Sequence, residues 1–273
     1  MPEGNETHRW AVLHAGMFAG KKVHVDSPQG RFSADAAVLD GRKVCGVMAV
    51  GKHLGYDFGV IDGERRIVHV HMGLYGEFTE GLQPMPKPRG ALRMRIWDKT
   101  QWLELRGPTN CAIWSELEWK TLLERLGPDP LNVSGKGGDK PDKMIVRIEK
   151  RKTPIGLLLM DQAIVSGLGN IFRAELLFRA RLSPFTPGNE LPSEVLKKVW
   201  KDAVKLMPLA MVDRRIVTTE AKDRPHKRGK ALKEEVHYVY RRKGRPCFIC
   251  GTEVRTQVFG GRNLFWCPVC QAE

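Results

Sequence analysis

The chain has 273 residues, room for one large domain or two ordinary ones with a sizeable core. It carries 45 Lys and Arg against 31 Asp and Glu, a net charge of +14 with an isoelectric point near 9.7, so the expected partner is a polyanion, nucleic acid before anionic membrane. No apolar run approaches the ~20 residues of a helical span and no signal peptide opens the chain, which excludes an integral helical membrane protein and leads to the expectation of a cytoplasmic one with reduced thiols.

The opening reads Met1-Pro2-Glu3-Gly4-Asn5-Glu6. With Met1 removed, Pro2 carries a free secondary amine. α-Amino groups titrate near ~7.7–8.0, so a sizeable fraction is neutral and nucleophilic at pH 7. Attack of such an amine on a sugar aldehyde carbon gives a cationic iminium, and Glu3 stands beside it as a candidate proton donor. Read alone, the stretch is equally an ordinary start with a surface glutamate.

Trp10, Leu13, Met17 and Phe18 recur at helical spacing and Gly20 is a plausible stop, so a short amphipathic helix follows Pro2. From Lys21 to Arg106 the texture becomes β-rich and broken by turns. Asp40-Gly41 and Asp62-Gly63 are hairpin signals, and Asp98-Lys99-Thr100 joins two further runs. About eight strands are expected, arranged as a sandwich or flattened barrel. Ser115 and Glu118 form a capping box that opens a helix ending at Gly127-Pro128. A Gly-rich linker is read at Asn132–Lys143. Apolar helical segments follow at Pro154–Gln162 and Ile171–Arg179, and a longer helix starts at Ser193 and runs through Met207. Residues 212–235 lack a period and are expected to form a mobile loop.

At the C-terminus, Cys247-x-x-Cys250 and Cys267-x-x-Cys270 enclose sixteen residues. Two such knuckles suit a closed tetrahedral site for one structural Zn²⁺. Arg262 follows Gly260-Gly261 at a probable turn, where a guanidinium can meet a phosphate. Cys45 and Cys111 read as small core residues.

Three motifs in order now carry a resemblance: Met1-Pro2-Glu3-Gly4, then Gly167-Leu168-Gly169-Asn170-Ile171, then Arg262-Asn263-Leu264-Phe265-Trp266-Cys267-Pro268-x-Cys270. Together they resemble the formamidopyrimidine-DNA glycosylase/endonuclease VIII family from end to end, most like its actinobacterial endonuclease VIII branch. The resemblance implies a two-domain α+β fold. Residues 1–127 would form the catalytic eight-stranded β-sandwich with its Pro2-bearing helix and 128–143 a linker. Residues 144–238 would form a helix–two-turns–helix DNA-binding domain and 239–273 a four-Cys zinc finger.

The resemblance also assigns roles. Pro2 is the nucleophile, Glu3 the general acid, and Lys52 a phosphate-binding lysine on a strand. Glu6 is a second acidic residue near the active site. Asn170 grips the DNA backbone, and Arg262 lies beside the lesion phosphates within the catalytic set. His71 is a DNA-interface residue, and Leu74-Tyr75 sits where endonuclease VIII carries its intercalating wedge. Taken singly, Lys52 reads as solvated, Asn170 as a helix N-cap, Leu74-Tyr75 as core and His71 as a satisfied strand histidine. The purine-lesion branch has an Arg-Arg-Phe-Gly loop where this chain reads Arg106-Gly107-Pro108-Thr109-Asn110-Cys111, and a lysine where it has Gly156. The implied activity is a bifunctional glycosylase and AP lyase that removes oxidised pyrimidines from double-stranded DNA, acting as a monomer. The alternatives are a purine-lesion glycosylase and a non-catalytic damaged-DNA-binding zinc protein.

Overall fold

A computed structural model describes residues 2–133 and 138–272, which form two units, Met1–Arg125 and Leu126–Glu273. In the first unit, helix α1 (Gly4–Phe18) precedes β1 (His24–Asp26), α2 (Ser33–Leu39), β2 (Gly46–Val50), β3 (His53–Ile61) and β4 (Glu64–His71). Then come β5 (Glu77–Leu82), β6 (Leu92–Trp97), β7 (Gln101–Arg106), β8 (Asn110–Trp114) and α3 (Glu116–Arg125). The eight strands form two antiparallel four-stranded sheets, ordered β1-β6-β7-β5 and β2-β3-β4-β8. Leu54, Tyr56, Val68 and Val70 from one sheet and Met94, Ile96, Leu103 and Leu105 from the other join Trp10 and Phe18 in one core, the packing of a sandwich.

The turns have local causes. Asp62 and Gly63 both have positive φ, 52° and 82°, as a two-residue hairpin with the twist of its strands demands. Asp98 Oδ1 accepts the N–H groups of Thr100 and Gln101 at 2.7 and 2.9 Å, which closes the β6–β7 turn. Ser115 Oγ accepts the Glu118 N–H while Glu118 Oε2 accepts the Ser115 N–H, the reciprocal capping box that starts α3. Asp40-Gly41 is not a hairpin turn. It ends α2, and Asp40 Oδ1 takes the Val25 N–H at 2.9 Å, tying that helix end to β1. Leu13 lies on the outer face of α1 and is exposed, whereas Trp10, Met17 and Phe18 are buried.

The second unit contains α4 (Asp142–Glu149), α5 (Ile155–Leu158), α6 (Asn170–Arg179), α7 (Ser193–Asp213) and a hairpin of β9 (Arg255–Phe259) and β10 (Arg262–Trp266). Of the glycine-rich stretch, residues 134–137 lie outside the described set; Asp139 Oδ2 accepts the Asp129 N–H at 2.9 Å and Asp139 N–H donates to Asn132 O. α7 runs past Met207 and through Pro208 to Asp213. Residues 214–235 are held by bonds that leave no periodic trace: Arg215 donates to Ala231 O, Thr219 Oγ1 donates to Glu235 O, and Thr218, Thr219 and Glu235 are buried.

One buried carboxylate fixes the chain's route into the C-terminal hairpin. Glu175 on α6 is fully buried and accepts the N–H groups of Tyr238, Val239 and Tyr240 at 2.8, 2.9 and 2.8 Å, together with the Thr218 hydroxyl. Buried N–H donors left without acceptors cost ~1–3 kcal/mol each. Glu175→Ala is therefore expected to lower the unfolding free energy of this unit by at least ~3 kcal/mol in urea titrations. Glu175→Gln, which keeps one oxygen acceptor, is expected to lose less; equal losses would contradict this role.

Candidate active site and metal centre

Pro2 is half-buried and stands directly before α1. Met1 lies outside the described residues. Glu3 occupies the N-cap with an extended backbone, φ −105° and ψ −180°, and its carbonyl accepts the N–H groups of Glu6 and Thr7 at 3.0 and 3.3 Å. Its side chain is only 2% exposed. Glu6, one turn on, holds Arg9 at 3.0 Å. Asn5 is also buried, and its Oδ1 has no hydrogen-bond partner among the described residues.

The helix that carries these residues is pinned from its other half. His14 is fully buried; Nδ1 lies 2.7 Å from Tyr56 Oη on β3, and Nε2 lies 3.1 Å from Glu80 Oε1 on β5. A carboxylate only accepts, so Nε2–H donates to Glu80 and Nδ1 accepts from the tyrosine, the pattern of a neutral imidazole. Burial lowers the His14 pKa, with Glu80 opposing.

Lys52 is not within a strand. It is the second residue of the Gly51-Lys52 turn between the paired residues Val50 and His53, and Gly51 supplies the positive φ of 54° that a two-residue hairpin needs at its first position. Beside it stands a ladder of imidazoles. His53 and His71 are paired across β3 and β4, and His53 Nδ1 lies 2.9 Å from His69 Nε2. His69 stacks on Trp114 at 3.7 Å. Burial pushes His53 down to about 3 and His69 to about 4, with neighbouring imidazoles adding to both. His71 is lowered by burial and then by the Lys52 charge. All three are neutral at pH 7, and the cations that act on His53 are Arg125 and Lys52.

β4 runs into the loop carrying Leu74 and Tyr75, which are 46% and 85% exposed and belong to no core. Gly76 N–H closes the turn on Met72 O at 3.0 Å. The neighbouring β7–β8 connection is only Gly107-Pro108-Thr109, and Thr109 N–H donates to His71 O at 2.9 Å. The two loops touch closely: a Cβ on Gly107 would lie 2.8 Å from Tyr75 O, and one on Gly73 would overlap Thr109 Oγ1. Both glycines also have positive φ.

In the second unit, the turns between α5 and α6 are stitched by Gln162. Its Nε2 donates to Met160 O and Leu168 O, and its Oε1 accepts the Gly167 N–H. Asn170 is the first residue of α6, and its N-cap, Gly169, has no side chain of its own to cap that end. Asn170 Nδ2 instead donates to Asn263 O at 2.9 Å, and its Oδ1 accepts from Arg173. The fully buried Arg173 also donates to Gly156 O and Phe259 O. Asn170 is thereby brought to the hairpin of Arg262. Arg262 is half-buried and opens β10 immediately after the Gly260-Gly261 turn, whose φ angles are 63° and 70°.

The four thiols of Cys247, Cys250, Cys267 and Cys270 all lie within 4.8 Å of one another. Zn–S bonds of ~2.3 Å set tetrahedral S···S edges of roughly 3.8 Å, so the cluster fits one zinc ion. Ile249 N–H points to Cys247 Sγ at 3.5 Å and Cys270 N–H to Cys267 Sγ at 3.4 Å, the backbone donors that hold thiolates in a knuckle. With four protein ligands the site is closed, so the zinc is structural. Of the other cysteines, Cys111 is buried, which pushes its thiol up to about 12. Cys45 is exposed, contrary to the reading as core; it lies one residue before β2, outside the strand.

Residues 126–221 match the family described as Formamidopyrimidine-DNA glycosylase H2TH domain, and residues 244–272 match Zinc finger found in FPG and IleRS. Endonuclease 8 1 of Mycobacterium tuberculosis is 42% identical over 276 residues, covering 99% of this chain and 100% of that one. Formamidopyrimidine-DNA glycosylase of Thermus thermophilus is 29% identical over 282 residues, with 100% and 98% covered. MutM in complex with DNA containing carbocyclic 8-oxo-G shares the fold at a TM-score of 0.80 and 20% identity over 100% of both chains. Lactococcus lactis Fpg in complex with DNA containing an abasic site does so at 0.78 and 19%, over 99% and 100%. The chain belongs to the formamidopyrimidine-DNA glycosylase/endonuclease VIII family, the zinc-finger DNA glycosylases and abasic-site lyases of base excision repair. Among the described residues no helix is long and apolar enough to cross a membrane.

Two outcomes are expected. Metal analysis should give one zinc per chain, and Cys267→Ser should lose it and unfold the hairpin while the first unit keeps its β signal. Structural zinc in small units contributes ~10–16 kcal/mol of apparent binding energy, so loss without unfolding would contradict a structural role. Below pH ~6.5, unfolded histidines take up protons that His53 and His69 refuse until about 3 and 4. Stability of the first unit should therefore fall on acidification from pH 7, by up to ~1.4 kcal/mol per pH unit for each imidazole. His53→Asn should flatten that slope in circular-dichroism melts; an unchanged slope would remove His53 from the account.

Proposed function

We propose that this enzyme excises oxidised pyrimidines from duplex DNA and cleaves the resulting abasic site, with the Pro2 amine as nucleophile. The reading rests above all on Glu3, a carboxyl held almost out of solvent at a helix start, next to a proline whose amine becomes free when Met1 is removed.

The damaged nucleotide must first leave the stack, at a cost of a few kcal/mol that is smallest for a distorted base. Leu74, with Tyr75 beside it, fills the space left behind; their exposure at a tight turn supports a wedge rather than a core role. Lys52 meets a phosphate. Asn170 and Arg262, joined through Asn263, meet the backbone near the positive end of α6. Glu3 protonates the ring oxygen and opens the sugar, Pro2 nitrogen bonds to C1′, and the base departs with its electron pair and a proton. The resulting iminium acidifies C2′. Loss of a C2′ proton expels the 3′ phosphate, a second elimination expels the 5′ phosphate, and hydrolysis frees Pro2. Glu6, on the first turn of the helix, serves as a second acidic residue near the active site.

The short Gly107-Pro108-Thr109 connection has no length for an Arg-Arg-Phe-Gly wedge. Gly156 admits no side chain, because an added Cβ would lie 2.8 Å from Pro184 O. Both features favour pyrimidine over purine lesions. The enzyme is proposed to act as a monomer.

Single-turnover excision of thymine glycol is expected to exceed that of 8-oxoguanine by at least about tenfold, roughly 1.4 kcal/mol; the reverse order would assign the chain to purine lesions. Glu3→Gln should slow base release about a hundredfold or more while sparing cleavage of a preformed abasic site. Equal losses on both substrates would remove the acid role.

A further inference from the structure

Two connections cross the same end of the β-sandwich side by side. Residues 72–76 leave β4 in one sheet and enter β5 in the other. Residues 107–109 leave β7 in that second sheet and return to β8 in the first. Their feet are tied to each other, because β4 pairs with β8 and β5 with β7. His71 lies opposite Asn110 in one ladder, and Glu77 opposite Arg106 in the other. The loops therefore start from paired positions at both ends and cannot drift apart.

The longer loop carries Leu74 and Tyr75 at its crest. Its root is sunk in the core through Met72, and Gly76 N–H closes it on Met72 O at 3.0 Å. A Cβ added to Gly76 would overlap the Met72 backbone, so the turn closes this tightly only with glycine there. The shorter loop is sunk through Pro108, which is buried, and Thr109 N–H donates to His71 O at 2.9 Å. The two loops meet at two points, one on either side of Leu74. Thr109 Oγ1 fills the space that a side chain on Gly73 would need, and Gly107 lies against the Tyr75 carbonyl, where a Cβ would come to 2.8 Å. Gly73 and Gly107 hold φ angles of 64° and 58°, which favour glycine.

A wedge works only if its backbone resists the base stack that it enters. A loose turn would have to be ordered at the moment of extrusion, and that ordering opposes insertion. Here the turn is closed on itself and clasped by its neighbour before any DNA arrives. Gly107 and Thr109 are exposed, so core packing does not account for the fit.

We propose that the β7–β8 connection is a brace that presets the Leu74 wedge for base extrusion, with Thr109 and Gly107 as its positioning residues. This rests on the wedge role proposed for Leu74. The brace acts on the opening of the stack and not on the bond-breaking steps at Pro2.

The test uses the intact zinc-loaded chain and a duplex with thymine glycol opposite 2-aminopurine, whose fluorescence rises when its stacking is broken. Stopped-flow traces read extrusion. Borohydride trapping at an abasic site in a single strand, where no stack has to open, reads the chemistry. Thr109→Gly is expected to slow extrusion at least about tenfold, and to leave trapping within about twofold of the parent. Thr109→Ser, which keeps an oxygen against Gly73, should extrude within about twofold of the parent. Gly107→Ala should slow extrusion as Thr109→Gly does; where it fails to fold, the variants at exposed Thr109 decide the matter. Extrusion by Thr109→Gly at the parental rate overturns the brace. So does equal slowing of extrusion and trapping, which marks a general loss of structure. Leu74→Gly separates the two readings. Slow extrusion by Leu74→Gly beside a parental rate in Thr109→Gly keeps the wedge and removes the brace, whereas parental extrusion by Leu74→Gly removes the wedge itself.

Discussion

The placement of α1, which carries the proposed nucleophile and acid, depends on one buried imidazole. A chain terminus frays unless something ties it down, and here the tie is His14. It sits in the second half of α1 and bonds Tyr56 in one sheet and Glu80 in the other. An α-helix is stiff, so fixing residue 14 fixes residue 3, roughly 16 Å away along the axis. Glu3 then closes the first turn through its carbonyl and is buried, one residue after Pro2. Burial lowers the His14 pKa and favours the neutral ring, in which Nε2–H donates to Glu80 and Nδ1 accepts from Tyr56. The anchoring of α1, and with it the position of Glu3, thus follows from one hydrogen-bonded trio.

The second unit uses buried charges in the same way. Arg173 and Glu175, two residues apart on α6, are both fully buried. Arg173 binds carbonyls of Gly156 and Phe259, so it ties the short α5 helix to the tip of the hairpin. Glu175 binds three successive backbone donors at Tyr238–Tyr240, just before the first knuckle. The zinc hairpin is held at its root by a carboxylate and at its tip by a guanidinium, both from one helix. Buried ionic groups of this kind contribute little net stability but strongly penalise other arrangements. The arrangement they select brings Asn170 to Asn263, one residue from Arg262.

What the sequence disclosed and what it hid divide along the range of the interactions. The capping box at Ser115 and Glu118, the Asp62-Gly63 turn and the two Cys-x-x-Cys knuckles are local, and each is legible because its partners lie within a few residues. The eight strands were readable for the same reason, from alternation and turn residues. The helix Ser33–Leu39 was hidden within a β-rich stretch, although its alanines favour a helix. His14, Arg173 and Glu175 gave no signal. His14 meets partners 42 and 66 residues away, and Glu175 meets backbone 63 to 65 residues away. A buried charge with a distant partner looks in sequence like a solvated one. The resemblance assigned Lys52 to a strand, but Gly51, with a φ of 54°, makes its position a turn. Pro2, Glu3, Asn170 and Arg262 were singled out by resemblance, since no spacing rule links residues so far apart.

The central claim is that the chemistry begins at the nitrogen of Pro2. Borohydride reduction during turnover of an abasic duplex, followed by nuclease and protease digestion and mass spectrometry of the peptides, reads it directly. The account requires a reduced sugar remnant on the amine of a peptide beginning at Pro2, with no methionine before it. A remnant on any lysine, or an active enzyme that retains Met1 throughout, would contradict it.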